Sequence, residues 1–300
     1  MNQIIVTNIY PGHFHYEPLR LSLEPAGYTL ISIARRNGAH PDFEGSSVGQ
    51  FIFNYPMSKE LSRNVLHRCD LGEPVVVMMD DPLAFFDENI NTLIIPILKK
   101  AARVFTSTDN MLPVYLSIGV TAELLVGLGN PLFDVSDPPS EVDMEFDWGF
   151  IGTLIPQRFR FFWQLKQLLP DSTHYLVTKG FDVEDVKTRI RVTRCNIAFG
   201  NFSDVTDFKS NGTTLRAWEF PYAGAFILHD YRPLIPEFFE NGKAIVMFDS
   251  VEECAELILH YRDLPSERIK IAENARQIIS QYSMKSFFPA LFQGLSTHGN

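Results

Sequence analysis

Apolar runs of strand length alternate with amphipathic stretches along most of this chain. Ile4 to Asn8 is a short apolar run. Tyr16 to Ala26 has helical spacing until Gly27 stops it, and Thr29 to Ala34 predicts a second strand. Residues 35 to 55, rich in Gly, Asn and Ser, read as irregular. Ser58 to Cys69 predicts a helix capped by Ser58. The unbroken apolar run Pro74 to Met79 predicts a strand buried on both faces. Arg103 to Thr106 and Glu123 to Val126 predict further strands, with a helix near Met111 to Ile118 between them. This order is that of a parallel sheet covered by helices.

The character changes from Asn130 to Asp147, where Pro131, Pro138, Pro139 and many acidic residues break any period, as a linker would. Beyond it the same alternation resumes. Strands are expected at Trp148 to Thr153, His174 to Thr178, Cys195 to Phe199 and Ala225 to Leu228. Helices are expected at Arg158 to Leu169, in the stretch before Ala223-Gly224, and at Val251 to Arg262, Ser266 to Tyr282 and Lys285 to Leu295. Two strand–helix units fit a length of 300 residues.

Composition narrows the function. A net charge of −10 argues against wrapping nucleic acid by neutralising phosphates, although it permits a local basic pocket. The three cysteines, Cys69, Cys195 and Cys254, have no pair spacing and read as small core residues in a reducing compartment. No N-terminal signal and no apolar run long enough to cross a bilayer are visible, so a cytoplasmic location is expected.

The candidate chemistry lies on loops that follow strands, where open parallel sheets bind ligands. Arg216 and Glu219, three residues apart, share a helix face and can reach one ligand. A guanidinium grips phosphate oxygens in two-pronged fashion, and a carboxylate accepts from ribose hydroxyls. The alternative is an intrahelical ion pair worth about 0.2–0.5 kcal/mol. Gly152, Thr153 and Arg158 open a helix after a strand, a position suited to phosphate without being a dinucleotide or P-loop motif. Lys209, Thr213 and Thr214 sit in the polar run before the Arg216 helix, as phosphate contacts or as caps. Asp80 and Asp81 close an apolar strand, as a general base or, before Pro82, as a helix cap. His15, near His13 and Glu17, is a further base candidate; no third ligand accompanies the histidines, so no metal site is expected.

The run Leu215-Arg-Ala-Trp-Glu219 is followed by Ala223-Gly-Ala225, an apolar strand, Phe248-Asp-Ser250, Glu252-Glu253, the Tyr261 region and Glu267-Arg-Ile-Lys-Ile-Ala-Glu-Asn274. Together these resemble the GT-B glycosyltransferases, and most closely their CgeB-like group. Asp80-Asp81-Pro82, Phe105-Thr-Ser107 and Phe150-Ile-Gly152 with Arg158 add to the likeness, which is specific from 213 to 275 and weak before 140.

The resemblance implies an α/β GT-B fold, two Rossmann-like domains facing each other across a cleft. Residues 1–140 would bind the acceptor and residues 148–282 the nucleotide sugar, while 283–300 would form a helix crossing back to the first domain. Glu219 matches the ribose carboxylate of such enzymes, and Arg216 and Arg158 match positions near the diphosphate. The implied activity is hexosyl transfer from a nucleoside-diphosphate sugar, a UDP-sugar first, to an acceptor hydroxyl. The donor is a substrate, and no cofactor is implied. No metal is expected, because Arg158, Arg216 and Lys209 would balance the charge of the leaving diphosphate. Many retaining members have a second Glu eight residues before the ribose Glu; Asn211 stands there instead, which leaves retention or inversion open. A nucleotide-sugar epimerase or a silent nucleotide-sugar-binding protein on the same fold are the alternatives.

Overall fold

A computed structural model describes residues 2–7, 16–33, 49–53, 59–79, 93–107, 109–135, 137, 139–178, 182–200, 202–203, 208–209, 211–212 and 214–297. The chain divides into two compact units. One comprises residues 1–126 with 202–209 and 284–300, the other residues 127–201 with 210–283.

Among the described residues the sheet of the first unit has six parallel strands: β1 (Asn2–Thr7), β2 (Tyr28–Ile33), β3 (Gly49–Phe53), β4 (Val75–Met78), β5 (Arg103–Thr106) and β6 (Glu123–Leu124). Their order across the sheet is β2-β1-β3-β4-β5-β6. Ile4, Ile5 and Val6 are all buried, as are Val75, Val76 and Val77, so successive side chains on both faces are shielded from water. The helices α1 (Tyr16–Leu23), α2 (Lys59–Asp70), α3 (Ile94–Lys100) and α4 (Leu112–Ser117) lie between these strands in the chain. Ile94, Ile97, Leu98 and Tyr115 pack with Ile52, Val75, Val77 and Val104 in one core. The Tyr115 hydroxyl donates to the Met79 carbonyl at 2.6 Å, satisfying the one polar atom that this ring buries.

The stretch read as irregular contains β3, which pairs with β1 and β4 near the centre of the sheet. Its apolar run is only Phe51 to Phe53, too short to signal a strand against the polar residues before it. Gly49 lets the strand lie close to the last helix, since a Cβ there would sit 3.1 Å from the Phe292 ring.

The second unit holds β7 (Phe146–Ile151), β8 (His174–Val177), β9 (Thr193–Ala198), β12 (Ile227–Asp230) and β13 (Val246–Phe248), all parallel in the order β13-β12-β9-β7-β8. Between β9 and β12 lies a two-stranded antiparallel pair, β10 (Phe202–Ser203) and β11 (Phe208–Lys209), which groups with the first unit. The helices are α5 (Pro156–Leu168), α6 (Val183–Arg191), α7 (Arg216–Tyr222), α8 (Ile235–Phe238), α9 (Val251–Arg262) and α10 (Pro265–Gln281). The core is aromatic. Phe150 and Phe162 lie 4.7 Å apart, and Phe161 packs against Phe199 at 5.0 Å and Phe248 at 5.5 Å. α6, absent from the sequence reading, is short and highly charged, with only Val186 and Ile190 buried; Asp182 caps it by accepting from the Asp185 amide.

The last helix, α11 (Met284–Thr297), belongs to the first unit. Phe288 meets Phe51 edge-on at 5.3 Å, and Phe292 approaches Tyr28 at 6.2 Å. Among the described residues no helix is long and apolar enough to cross a membrane.

The segment read as a linker is packed instead. The Gly129 amide donates to the Tyr282 carbonyl at 2.8 Å, and the Val135 amide to the Tyr222 carbonyl at 3.4 Å. Three of its acidic residues form described ion pairs: Glu141 with Arg194 and Arg268, Asp147 with Arg194, and Asp134 with Arg276. Prolines and acids resemble a linker in composition, but basic partners from α10 and β9 turn them into contacts.

Gly127 lies against the Trp218 indole, where an added Cβ would fall 2.2 Å from Nε1. Gly127→Ala should therefore destabilise the chain by about 1–3 kcal/mol, since overpacking must displace a buried ring. Thermal unfolding checks this: a lowered Tm is expected, and an unchanged one would show that the ring yields freely.

Candidate functional site

α7 ends where Gly224 takes a left-handed φ of 78°, letting the chain turn into β12. Every residue from Ala217 to Tyr222 is buried, including Glu219, which is 7 % exposed. A carboxylate in such surroundings needs a donor. Asn130 Nδ2 supplies it, bonding Glu219 Oε1 at 2.9 Å. Asn130 is itself buried and held, because its Oδ1 accepts from the Leu132 amide at 3.0 Å. Burial raises the Glu219 pKa above the ordinary carboxylate range, while the nearby Arg216 charge and the Asn130 bond oppose that rise. Oε2 of Glu219 has no hydrogen-bond partner among the described residues.

Arg216 and Glu219 do not form a close ion pair. Arg216 Nε donates instead to the carbonyl of Ile151, the last residue of β7, at 2.6 Å. Burial lowers the Arg216 pKa, and the Glu219 charge works against that shift. Neither Nη atom has a hydrogen-bond partner among the described residues.

Arg158, on the first turn of α5, reaches the same end of the sheet. Nη1 donates to the Thr153 carbonyl at 3.1 Å and Nη2 to the Gly200 carbonyl at 3.2 Å. Its guanidinium lies over the Phe150 and Phe199 rings at 5.8 and 5.6 Å. Gly152 has its amide engaged with the Val177 carbonyl at 3.0 Å, so its contribution is the missing side chain: a Cβ would come 2.8 Å from the Phe150 ring. Thr153 is exposed. Thr214 does not cap α7; its hydroxyl is buried with no hydrogen-bond partner among the described residues. Lys209 lies in β11, and its side chain is outside the described residues, as are Thr213, Asp80, Asp81 and His15. Among the described residues no cluster of His, Cys, Asp and Glu could hold a metal ion.

The sequence reading missed Asn130, Gly200, His229, Asp230 and Arg232. Asp230 ends β12, and its Oδ1 accepts from the Gly200 amide at 2.7 Å. Arg232 Nη2 donates to its Oδ2, and His229 Nδ1 lies 3.0 Å from Oδ1. Burial pushes the Asp230 pKa up, but His229 and Arg232 outweigh it and hold the group at about 2. A carboxylate at the carboxyl end of an apolar strand was the available signal.

A carboxyl pKa held below its unfolded value of about 3.9 adds stability above that pH and loses it as pH falls through the folded value. Asp230→Asn should then cost about 2 kcal/mol at pH 7, and roughly half of that at pH 3. Urea unfolding at the two pH values reads the difference; an equal loss at both would mean that the charge of Asp230 is not what stabilises.

Residues 177–287 match a protein family described as Glycosyl transferase-like. No curated protein matches the chain significantly in sequence. Solved structures do match in fold. An alpha-glucosyltransferase in complex with UDP and a 13-mer DNA containing an HMU base has a TM-score of 0.66 at 10% identity, over 98% of this chain and 99% of that one. An alpha-glucosyltransferase in complex with UDP-glucose and DNA containing an abasic site gives 0.65 at 12% identity, over 98% of both. Sucrose-phosphate synthase from Thermosynechococcus elongatus gives 0.59 at 13% identity, over 99% of this chain and all of that one. With two parallel sheets each interleaved with helices, the chain has the GT-B fold of these structures, and residues 177–287 match the Glycosyl transferase-like family.

Proposed function

We propose that this protein is a glycosyltransferase that moves a sugar from a nucleoside-diphosphate sugar, a UDP-sugar first, to an acceptor hydroxyl. The observation that carries the reading is the meeting of Arg216 and Arg158 at the carboxyl ends of β7 and β9, with Glu219 one turn along α7. Glu219 Oε2 accepts from ribose hydroxyls, the Arg216 Nη groups and Arg158 face the diphosphate, and the Thr214 hydroxyl donates to a phosphate oxygen. Lys209, Gly152, Thr153 and Thr213 complete the donor site in the same proposal, as does the closer CgeB-like grouping. The UDP and UDP-glucose held by neighbours of the same fold support this choice of donor.

As the bond between the anomeric carbon and the diphosphate oxygen breaks, negative charge grows on the leaving group. Two fixed guanidinium groups stabilise that charge without a metal. The acceptor oxygen bonds to the anomeric carbon and its proton passes to Asp80, Asp81 or His15, the first two of which lie just past β4 in the chain, after Met79. The DNA bound by a neighbour is not carried over to this chain, whose net charge is −10. The free Cys195 and Cys254 thiols, both buried, suit a cytoplasmic enzyme.

Because the folded Glu219 holds its proton more tightly than the unfolded chain, ionising it above about pH 4.3 opposes folding. Glu219→Gln should therefore keep or raise the Tm at pH 7 while weakening UDP binding about tenfold or more in calorimetry. Wild-type affinity in that variant would remove Glu219 from the site. Transfer is expected to persist in excess EDTA; its abolition and recovery with a divalent cation would end the metal-free proposal. Release of free nucleoside diphosphate should need an acceptor. Sugar interconversion without release would indicate an epimerase, and binding with neither reaction a silent protein.

A further inference from the structure

We infer that Asp230 is a positioning residue that sets Arg158 toward the donor diphosphate by pinning the Gly200 peptide between them. The inference rests on the donor-binding reading above. Gly200 is held from three directions. Its amide donates to Asp230 Oδ1 at 2.7 Å, and its carbonyl accepts from Arg158 Nη2 at 3.2 Å. A Cβ at this position would fall 2.4 Å from Arg232 Nε, so only glycine lets the peptide lie against that guanidinium.

Asp230 is fixed in turn. Arg232 and His229, both fully buried, engage its two oxygens. Enclosed polar networks of this kind hold one geometry, because moving a member strands its partners in a medium of low dielectric. The network reaches Arg158, whose other described contacts are the Thr153 carbonyl and two aromatic rings. A carboxylate that serves only to close the sheet has no need to end on a cation at the ligand-binding edge. Loosening Asp230 frees the Gly200 carbonyl to rotate, and Arg158 loses one of these two carbonyl tethers.

The test measures binding of UDP, GDP and ADP, and of uridine, guanosine and adenosine, to the full-length protein and its variants. The wild type should bind at least one diphosphate. Asp230→Asn should weaken that diphosphate about tenfold and its nucleoside less than about twofold. Arg158→Ala should do the same, and the double variant should lose no more than Arg158→Ala alone. Should Asp230→Asn fail to fold, Arg232→Lys, which keeps the buried charge but not the planar fork, should show the same diphosphate-selective loss. Equal losses of diphosphate and nucleoside would assign Asp230 a structural role only. Additive losses in the double variant would break its link to Arg158. A wild type that binds none of these nucleotides would overturn the donor reading, and this inference with it.

Discussion

A carboxylate buried in an apolar helix needs a fixed donor, and the bond from Asn130 to Glu219 meets that need. Much of the second unit follows from it. The donor comes from the segment that enters the unit, so residues 127–135 must lie against α7. Gly127 passes beneath Trp218, and the Val135 amide reaches the Tyr222 carbonyl at the end of the helix. The Leu132 amide then fixes Asn130 itself. A segment with the composition of a passive connection thereby packs against the candidate site.

Charge is handled in two ways in this unit. Away from the site, acids and bases neutralise one another, as Glu141 does with Arg194 and Arg268. At the carboxyl ends of β7 and β9, the described tethers of Arg216 and Arg158 are backbone carbonyls instead. A carbonyl orients a guanidinium without cancelling its charge. Asp230, which holds the Gly200 amide, has its own charge paired with Arg232.

Legibility differed by the range of the contact involved. The spacing of Arg216 and Glu219, the apolar runs of β4 and β7, and the periodicity of α9 and α10 are local and could be read from the chain. The start of α7 was less clear, since Leu215 rather than a threonine precedes it and no side chain caps it. β3 went unread because three apolar residues carry little signal until β1 and β4 flank them. Asn130 looked like the start of a linker because its partner lies 89 residues away.

The sequence by itself determined the alternation of strands and helices, the two-unit organisation and the pairing of a cation with a carboxylate on one helix. These depend on side-chain period and chain length, which act within a few residues. Only the tertiary structure decided that Glu219 faces inward onto Asn130, that Arg216 is held by β7 rather than by Glu219, and that Asp230 joins the network around Gly200. Each of those outcomes is set by which backbone groups and side chains meet across the sheet, and hydrogen-bond geometry between distant segments leaves no trace in local pattern.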